Sequence, residues 1–192
     1  MTKTPVVVVP GGAGYVGSVV SSHLVINGYD VVVLDALRAG GEALLNFDGG
    51  EHLRLVAGDV RDAAVLDRAC DGADAVVHMA AVVGEPACKV DADAARAVNL
   101  RGTEAMLAAV SRARVPRLVH VSTCSNYGVS RPNVVADEDC PLNPLGIYAQ
   151  SKVEAEFLAL NPPASTSAAV LRLGTICGLS PHMRFDLLVN EM

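Results

Sequence analysis

Tyr148 and Lys152 stand four residues apart in Tyr148-Ala149-Gln150-Ser151-Lys152, a spacing that puts both side chains on one face of a helix. A phenol with its ordinary pKa of about 10 is no base near neutrality. An ammonium close by favours the phenolate and lowers that value, so the tyrosine can take a proton from a substrate hydroxyl. Upstream, Val121-Ser122-Thr123-Cys124 closes an apolar run, and a Thr123 hydroxyl at such a strand end can hydrogen-bond the same oxygen as its charge changes. Taken alone, a Tyr-x-x-x-Lys pair is most often an ordinary solvent-facing pair. Its company decides the matter.

That company begins near the N-terminus, where Pro10-Gly11-Gly12-Ala13-Gly14-Tyr15-Val16-Gly17 follows an apolar run. Gly11, Gly14 and Gly17 give a tight turn, a close backbone approach for a pyrophosphate, and close helix–strand packing. The helix that follows presents its N-terminal N–H groups and positive dipole end to the phosphates. Gly11, Gly14, Tyr15, Val16 and Gly17 are therefore candidate cofactor contacts, against the plainer reading of a tight strand-to-helix turn. Asp35 ends the second apolar run; a carboxylate there accepts from the adenosine ribose hydroxyls and repels a 2′-phosphate, which favours NAD. Arg38 leaves NADP open. Asp59, beside Val60, is placed to meet the adenine amino group, and small Ala80 and Ala81 let the main chain pass close to the cofactor. With NAD⁺ bound, its positive ring adds to the lowering of the Tyr148 pKa, hydride leaves the substrate carbon for the nicotinamide, and Lys152 also reaches the nicotinamide ribose. His78 reads as a satisfied structural histidine rather than a base.

These residues must be held by alternating elements. Residues 6–9, 31–34, 53–56, 75–78, 118–121 and 168–173 are short β-branched runs, mostly apolar throughout, as in a parallel sheet covered on both faces. Residues 15–27, 63–70, 92–112 and 148–160 carry the 3.6-residue period of crossover helices, with breakers at Gly28, Asp71-Gly72, Pro116 and Pro162-Pro163. The pattern predicts an α/β fold with a doubly wound parallel sheet of Rossmann type. The Pro/Asn/Asp-rich residues 131–144 are expected as a loop over the strand ends.

The 192 residues, 51% hydrophobic and 19% charged, are enough for one domain with its own core and speak against disorder. With 15 basic against 21 acidic residues and no basic cluster, no nucleic-acid partner is expected. The apolar run after Met1 is too short for a membrane span and lacks a signal cleavage site. Five widely spaced cysteines without a Cys-x-x-Cys pair, and five scattered histidines, fit a reducing cytoplasm and give no metal site.

The ordered set Gly11-x-x-Gly14-x-x-Gly17, Asp35, Asp59, His78-Met-Ala-Ala, Asn99-Leu-Arg-Gly102-Thr103, Ser122-Thr123 and Tyr148-x-x-x-Lys152 resembles the extended short-chain dehydrogenase/reductase superfamily. It is most similar to the NAD-dependent epimerase/dehydratase branch, whose members act on nucleotide-linked sugars. The resemblance spans almost the whole chain. It implies that Thr123, Tyr148 and Lys152 form the catalytic set, that Asn99 supports the site's backbone, that tightly held NAD is recycled, and that two copies pair through residues 92–112 and 148–160 in a four-helix bundle. Pro10 stands where the family usually has threonine. Cys124 and Ser125 stand where its dehydratases carry Asp-Glu, which disfavours a 4,6-dehydratase and favours epimerisation or ketone/alcohol redox. Cys124 reads as a small buried residue or, less simply, a reactive thiol; Cys177 reads as packing.

Residues 1–178 are thus expected to form the NAD-binding domain with the catalytic residues, and 179–192 the start of a substrate-binding region that relatives continue for about a hundred residues. The substrate domain is then largely absent, in a fragment, a natural short form, or a member that borrows a partner surface. Two other functions stay open: a catalytically idle NAD-binding module, and an NAD(P)-dependent reductase of a non-sugar ketone.

Overall fold

Six parallel strands lie in the order β3-β2-β1-β4-β5-β6, in a computed structural model that describes residues 3–38, 40–44, 51–129 and 135–185. They are β1 (Val6–Pro10), β2 (Asp30–Asp35), β3 (Leu53–Ala57), β4 (Ala75–His78), β5 (Arg117–Thr123) and β6 (Ser167–Leu173). The helices are α1 (Tyr15–Ile26), α2 (Ala63–Cys70), α3 (Glu85–Val90), α4 (Ala92–Arg96), α5 (Gly102–Ala113) and α6 (Ile147–Ala159). Every expected strand and helix region is present.

The pleat sorts the side chains. Val8, Val32, Leu34 and Val76 face one core with Leu66, Met106 and Val110, while Val7, Val9, Val31 and Val33 face a second with Leu24 and Val25 of α1. Successive residues of a strand point to opposite faces, which is why these strands read as unbroken apolar runs. Because all pairings are parallel, every strand's C-terminal end lies along one edge. The order reverses between β1 and β4, and that switch point is where a doubly wound sheet opens a crevice for ligands.

Two expectations change. Residues 92–112 are not one helix: α4 runs into a π-helical turn, Ala97–Arg101, before α5. The widened turn carries Asn99, whose amide reaches out to a neighbouring loop and to α6, a use typical of π-bulges. Helix α5 stops before Pro116, at Arg114, which takes the left-handed conformation with φ 53°. Helix α3, unforeseen, begins after Gly84 with Pro86 in its first turn, where a missing N–H costs nothing. Of the expected 131–144 loop, residues 131–134 lie outside the described residues, and 135–146 contain neither helix nor strand. Residues 186–192 also lie outside them, and 179–185 are irregular. Among the described residues no helix is long and apolar enough to cross a membrane, and none of their His, Cys, Asp and Glu residues cluster as metal ligands.

Candidate active site

The glycine turn sits at the switch point. Gly11 has φ +84°, and a Cβ there would lie 2.7 Å from the Ala80 main-chain nitrogen, so the turn after β1 touches the loop after β4 backbone to backbone. A Cβ on Gly17 would strike the Gly11 carbonyl, so the first turn of α1 sits directly on that loop. Asp35 braces the turn from β2: its carboxylate accepts from Ala13 N at 3.0 Å and Leu37 N at 2.9 Å. Tyr15 donates its hydroxyl to the Gly178 carbonyl at 2.7 Å, and Ser180 Oγ donates to the Tyr15 carbonyl at 2.6 Å. Val16 is partly exposed in the same turn. This cradle of glycine backbone, helix N-terminus and strand-end carboxylate has the chemistry that suits a dinucleotide.

Farther along the edge, Asp59 is held by Arg61 through Nε at 2.8 Å and Nη2 at 2.6 Å, with Arg38 Nη2 at 3.8 Å. The Arg61 hydrogen bonds hold its carboxyl down at about 2, well below the ordinary carboxylate range. Asp59 is therefore engaged by arginines, and Arg38 leans on it. Val60 buries its side chain in the core. Ala80 and Ala81 are partly exposed at the crevice.

Thr123 ends β5 and caps the 3-10 turn Cys124–Tyr127: its Oγ1 accepts from Ser125 N at 3.1 Å and donates to Ser125 Oγ at 3.2 Å. Thr123 stands near enough to the Tyr148 phenol to act on its ionisation. Lys152, one helical turn on, is 3% exposed. Its ammonium donates to the Val121 carbonyl at 2.6 Å and lies 3.3 Å from His120 Nε2.

That placement changes the electrostatics foreseen for the pair. Burial pushes the Tyr148 phenol above its ordinary value, and the nearby Thr123 side chain opposes the rise. The phenol is thus raised rather than lowered, while the Lys152 ammonium donates to the end of β5. Burial in turn draws Lys152 down to about 8, against the charge of Glu156. His120, beside it, is driven well below its ordinary range by burial and then by Lys152, so Nε2 accepts as a neutral imidazole.

Asn99 clamps the Val82 main chain, accepting from Val82 N at 2.7 Å and donating to Val82 O at 3.2 Å, and donates to Ser151 Oγ at 2.9 Å. Ser151 Oγ donates to the Tyr148 carbonyl at 2.8 Å. One amide therefore joins the loop after β4 to the helix bearing Tyr148 and Lys152. His78 is buried, bonded to Thr103 at 3.1 Å, and lowered by burial to about 3; it is a structural histidine, as expected. Cys124 and Cys177, by contrast, are both exposed. Cys124 opens the capped turn rather than packing beneath it, and Cys177 lies in the irregular stretch after β6.

Several supporting residues escaped the sequence. Helix α6 has no side-chain cap from Gly146; Glu85 of α3 supplies one, accepting from Ile147 N and Tyr148 N at 3.2 Å each. That satisfies orphan donors and puts negative charge at the positive helix end. Glu156, Arg172, Ser122 and Asn126 form a second bonded group beside Thr123. Of these, Ser122 stood in the Ser122-Thr123 motif, and Glu156 stands four residues after Lys152 on the same helical face.

Comparison with known proteins matches residues 7–190 to the family model described as NAD dependent epimerase/dehydratase family. The chain is 38% identical over 162 residues to a UDP-glucose 4-epimerase of Streptomyces lividans, covering 82% of this chain and 47% of that protein. It is 35% identical over 162 residues to a dTDP-glucose 4,6-dehydratase of Streptomyces niveus, covering 80% and 48%. Among solved structures, MoeE5 in complex with UDP-glucose and NAD superposes with a TM-score of 0.81 at 29% identity, covering 96% of this chain and 58% of that one. The chain spans about half the length of these two curated relatives.

Proposed function

The chain belongs to the NAD-dependent epimerase/dehydratase family, and on that premise we propose that it binds NAD and carries the catalytic residues of a nucleotide-sugar epimerase or oxidoreductase. The observation that carries this reading is that Thr123 at the end of β5 and the helix bearing Tyr148 and Lys152, whose ammonium donates to the Val121 carbonyl of β5, stand on the same sheet edge as the glycine cradle. Gly11, Gly14, Tyr15, Val16 and Gly17 hold the pyrophosphate, Asp35 the adenosine ribose, and Asp59 and Val60 flank the adenine. Ala80, Ala81, Asn99, Tyr148 and Lys152 line the nicotinamide half.

NAD, when bound, accepts hydride from the carbon that bears the reacting hydroxyl. Tyr148 takes the hydroxyl proton, Thr123 steadies the oxygen as its charge changes, and Lys152 offers its ammonium to the ribose and the phenol. The phenol must be brought down from its buried value for this, so substrate and cofactor are expected to draw the Lys152 charge toward Tyr148. The turn after Thr123 holds a thiol and a hydroxyl, Cys124 and Ser125, in place of carboxylates. That favours epimerisation or ketone/alcohol redox over loss of water.

Two copies pair, in this reading, through the outer faces of the α4–α5 unit and α6, where Leu100, Val153, Phe157 and Leu158 line a groove and Phe157 is 72% exposed. The nucleotide sugar completes its pocket from residues beyond this half of the family's length. Residues 1–178 form the cofactor domain and 179–192 lead toward the substrate region; unpaired cysteines suit a cytoplasmic setting. Calorimetric titration with NAD, then turnover with UDP- and dTDP-hexoses, tests the proposal. NAD should bind, and Tyr148→Phe should keep binding while losing about 10²–10⁴-fold in turnover. A folded chain with no NAD affinity ends this reading.

A further inference from the structure

We propose that Glu156 is a positioning residue of the active site: its one carboxylate, through Ser122, Asn126 and Arg172, locks the helix bearing Tyr148 and Lys152 to the strand end and turn bearing Thr123. The inference rests on the proposed roles of Tyr148, Thr123 and Lys152. Glu156 is 3% exposed. Its Oε2 accepts from Ser122 Oγ at 2.8 Å and from Asn126 Nδ2 at 3.0 Å. Arg172 of β6 donates through Nε to Oε1 at 3.0 Å and to Oε2 at 3.1 Å, and through Nη2 to Oε1. The guanidinium is fixed in turn by Tyr127, whose hydroxyl accepts from Nη1 at 2.8 Å and whose ring centroid lies 5.0 Å from it.

Ser122 and Asn126 bracket Thr123, and Asn126 Nδ2 also donates to Ser122 Oγ at 3.0 Å. The carboxylate therefore grips both ends of the segment that presents the Thr123 hydroxyl, while its own helix presents Tyr148. A buried ion pair seldom adds net stability over an apolar pair of the same shape, and its best-attested use is to specify an arrangement. Here the arrangement specified is the approach of Thr123 to Tyr148. The carboxylate has a second effect through its charge, which favours the protonated form of Lys152. The groups facing that ammonium are Glu156 on its own helix and the neutral imidazoles of His120 on β5 and His78 on β4.

The test uses the whole chain, labelled with ¹⁵N and with ¹³C at lysine Cε; its lysines are Lys3, Lys89 and Lys152. The Ser125 amide, which donates to Thr123 Oγ1, reports on the turn. The Ile147 and Tyr148 amides, held by Glu85, are the internal control. In Glu156→Gln the Ser125 amide should exchange at least about 10-fold faster with the controls unchanged, and the Lys152 titration midpoint should move to lower pH. Glu156→Asp should recover part of both signals. Unchanged Ser125 exchange and Lys152 midpoint in folded Glu156→Gln overturn the proposal, as does equal loss of all three amides, which marks mere structural loosening. Should Glu156→Gln not fold, Ser122→Ala removes one link and keeps the carboxylate; it should speed Ser125 exchange and leave the Lys152 midpoint in place, and no change at Ser125 refutes the brace. Neither signal depends on turnover or on NAD, so failure of the brace and failure of the functional reading are told apart.

Discussion

Replacing Lys152 with methionine should make the protein's stability cross over with pH. The wild-type ammonium is buried, and its pKa falls from 10.5 to about 8, which corresponds to roughly 3 kcal/mol of cost for the charged form. The folded pKa lies below the unfolded one, so between pH 8 and 10.5 the unfolded chain holds a proton that the folded chain has released. Wild-type stability therefore gains about 1.4 kcal/mol per pH unit from this group as pH rises through that window. Methionine removes the charge and also leaves the Val121 carbonyl without its donor, a loss of about 1–3 kcal/mol. At pH 7 the variant should be about 0–2 kcal/mol more stable than wild type, and near pH 10 it should be the less stable of the two. The thiols of Cys70 and Cys88 and the Tyr148 phenol, all raised by burial, push wild-type stability the other way at high pH. They are common to both chains, so the difference between urea melts at pH 7, 8, 9 and 10 isolates Lys152. A difference that stays flat across that range means the ammonium is solvated, which refutes its burial against the end of β5.

Two further expectations concern the cofactor edge. In Gly17→Ala the new Cβ meets the Gly11 carbonyl and lies 2.8 Å from the Gly12 Cα. Backbone cannot swing aside as a side chain can, so overpacking of about 1–3 kcal/mol should outweigh the roughly 1 kcal/mol that alanine contributes in a helix; a lower urea midpoint together with lost NAD affinity is expected, and a stabilised variant would contradict the packing. Asp59, held near pKa 2 chiefly by Arg61, has a folded pKa below the unfolded one, so its stabilisation is present above pH 4 and is lost as pH falls toward 2. Acid unfolding followed by circular dichroism should show Asp59→Asn losing less stability than wild type between pH 4 and 2, and parallel curves would show the Arg61 contact to be idle.

The parts legible in the sequence share a local physical basis. An apolar run has to be a strand buried on both faces, glycines at three-residue steps between a strand and a helix have to form a tight turn, and residues at i and i+4 have to share a helical face. Those rules located the cradle at Gly11–Gly17, Asp35 at a strand end, and Tyr148 with Lys152. They misread 92–112 because the π-turn is set by Asn99 reaching to Val82 and Ser151, contacts 17 and 52 residues away that no periodicity encodes.

The chain's order of residues by itself determined the doubly wound sheet, the edge on which chemistry would gather, and the side chains that could perform it, because each depends on neighbours within a few positions. Only the tertiary structure decided how those side chains are charged and held. The Tyr148 phenol is raised because burial outweighs the opposing effect of the Thr123 side chain, and Lys152 points at Val121 because β5 ends beneath it. Glu85 and Glu156 support the site because packing brings α3 to the start of α6 and α6 against β5 and β6. Desolvation and long-range contact belong to the packed molecule, and the ionisation of Tyr148 rests on them.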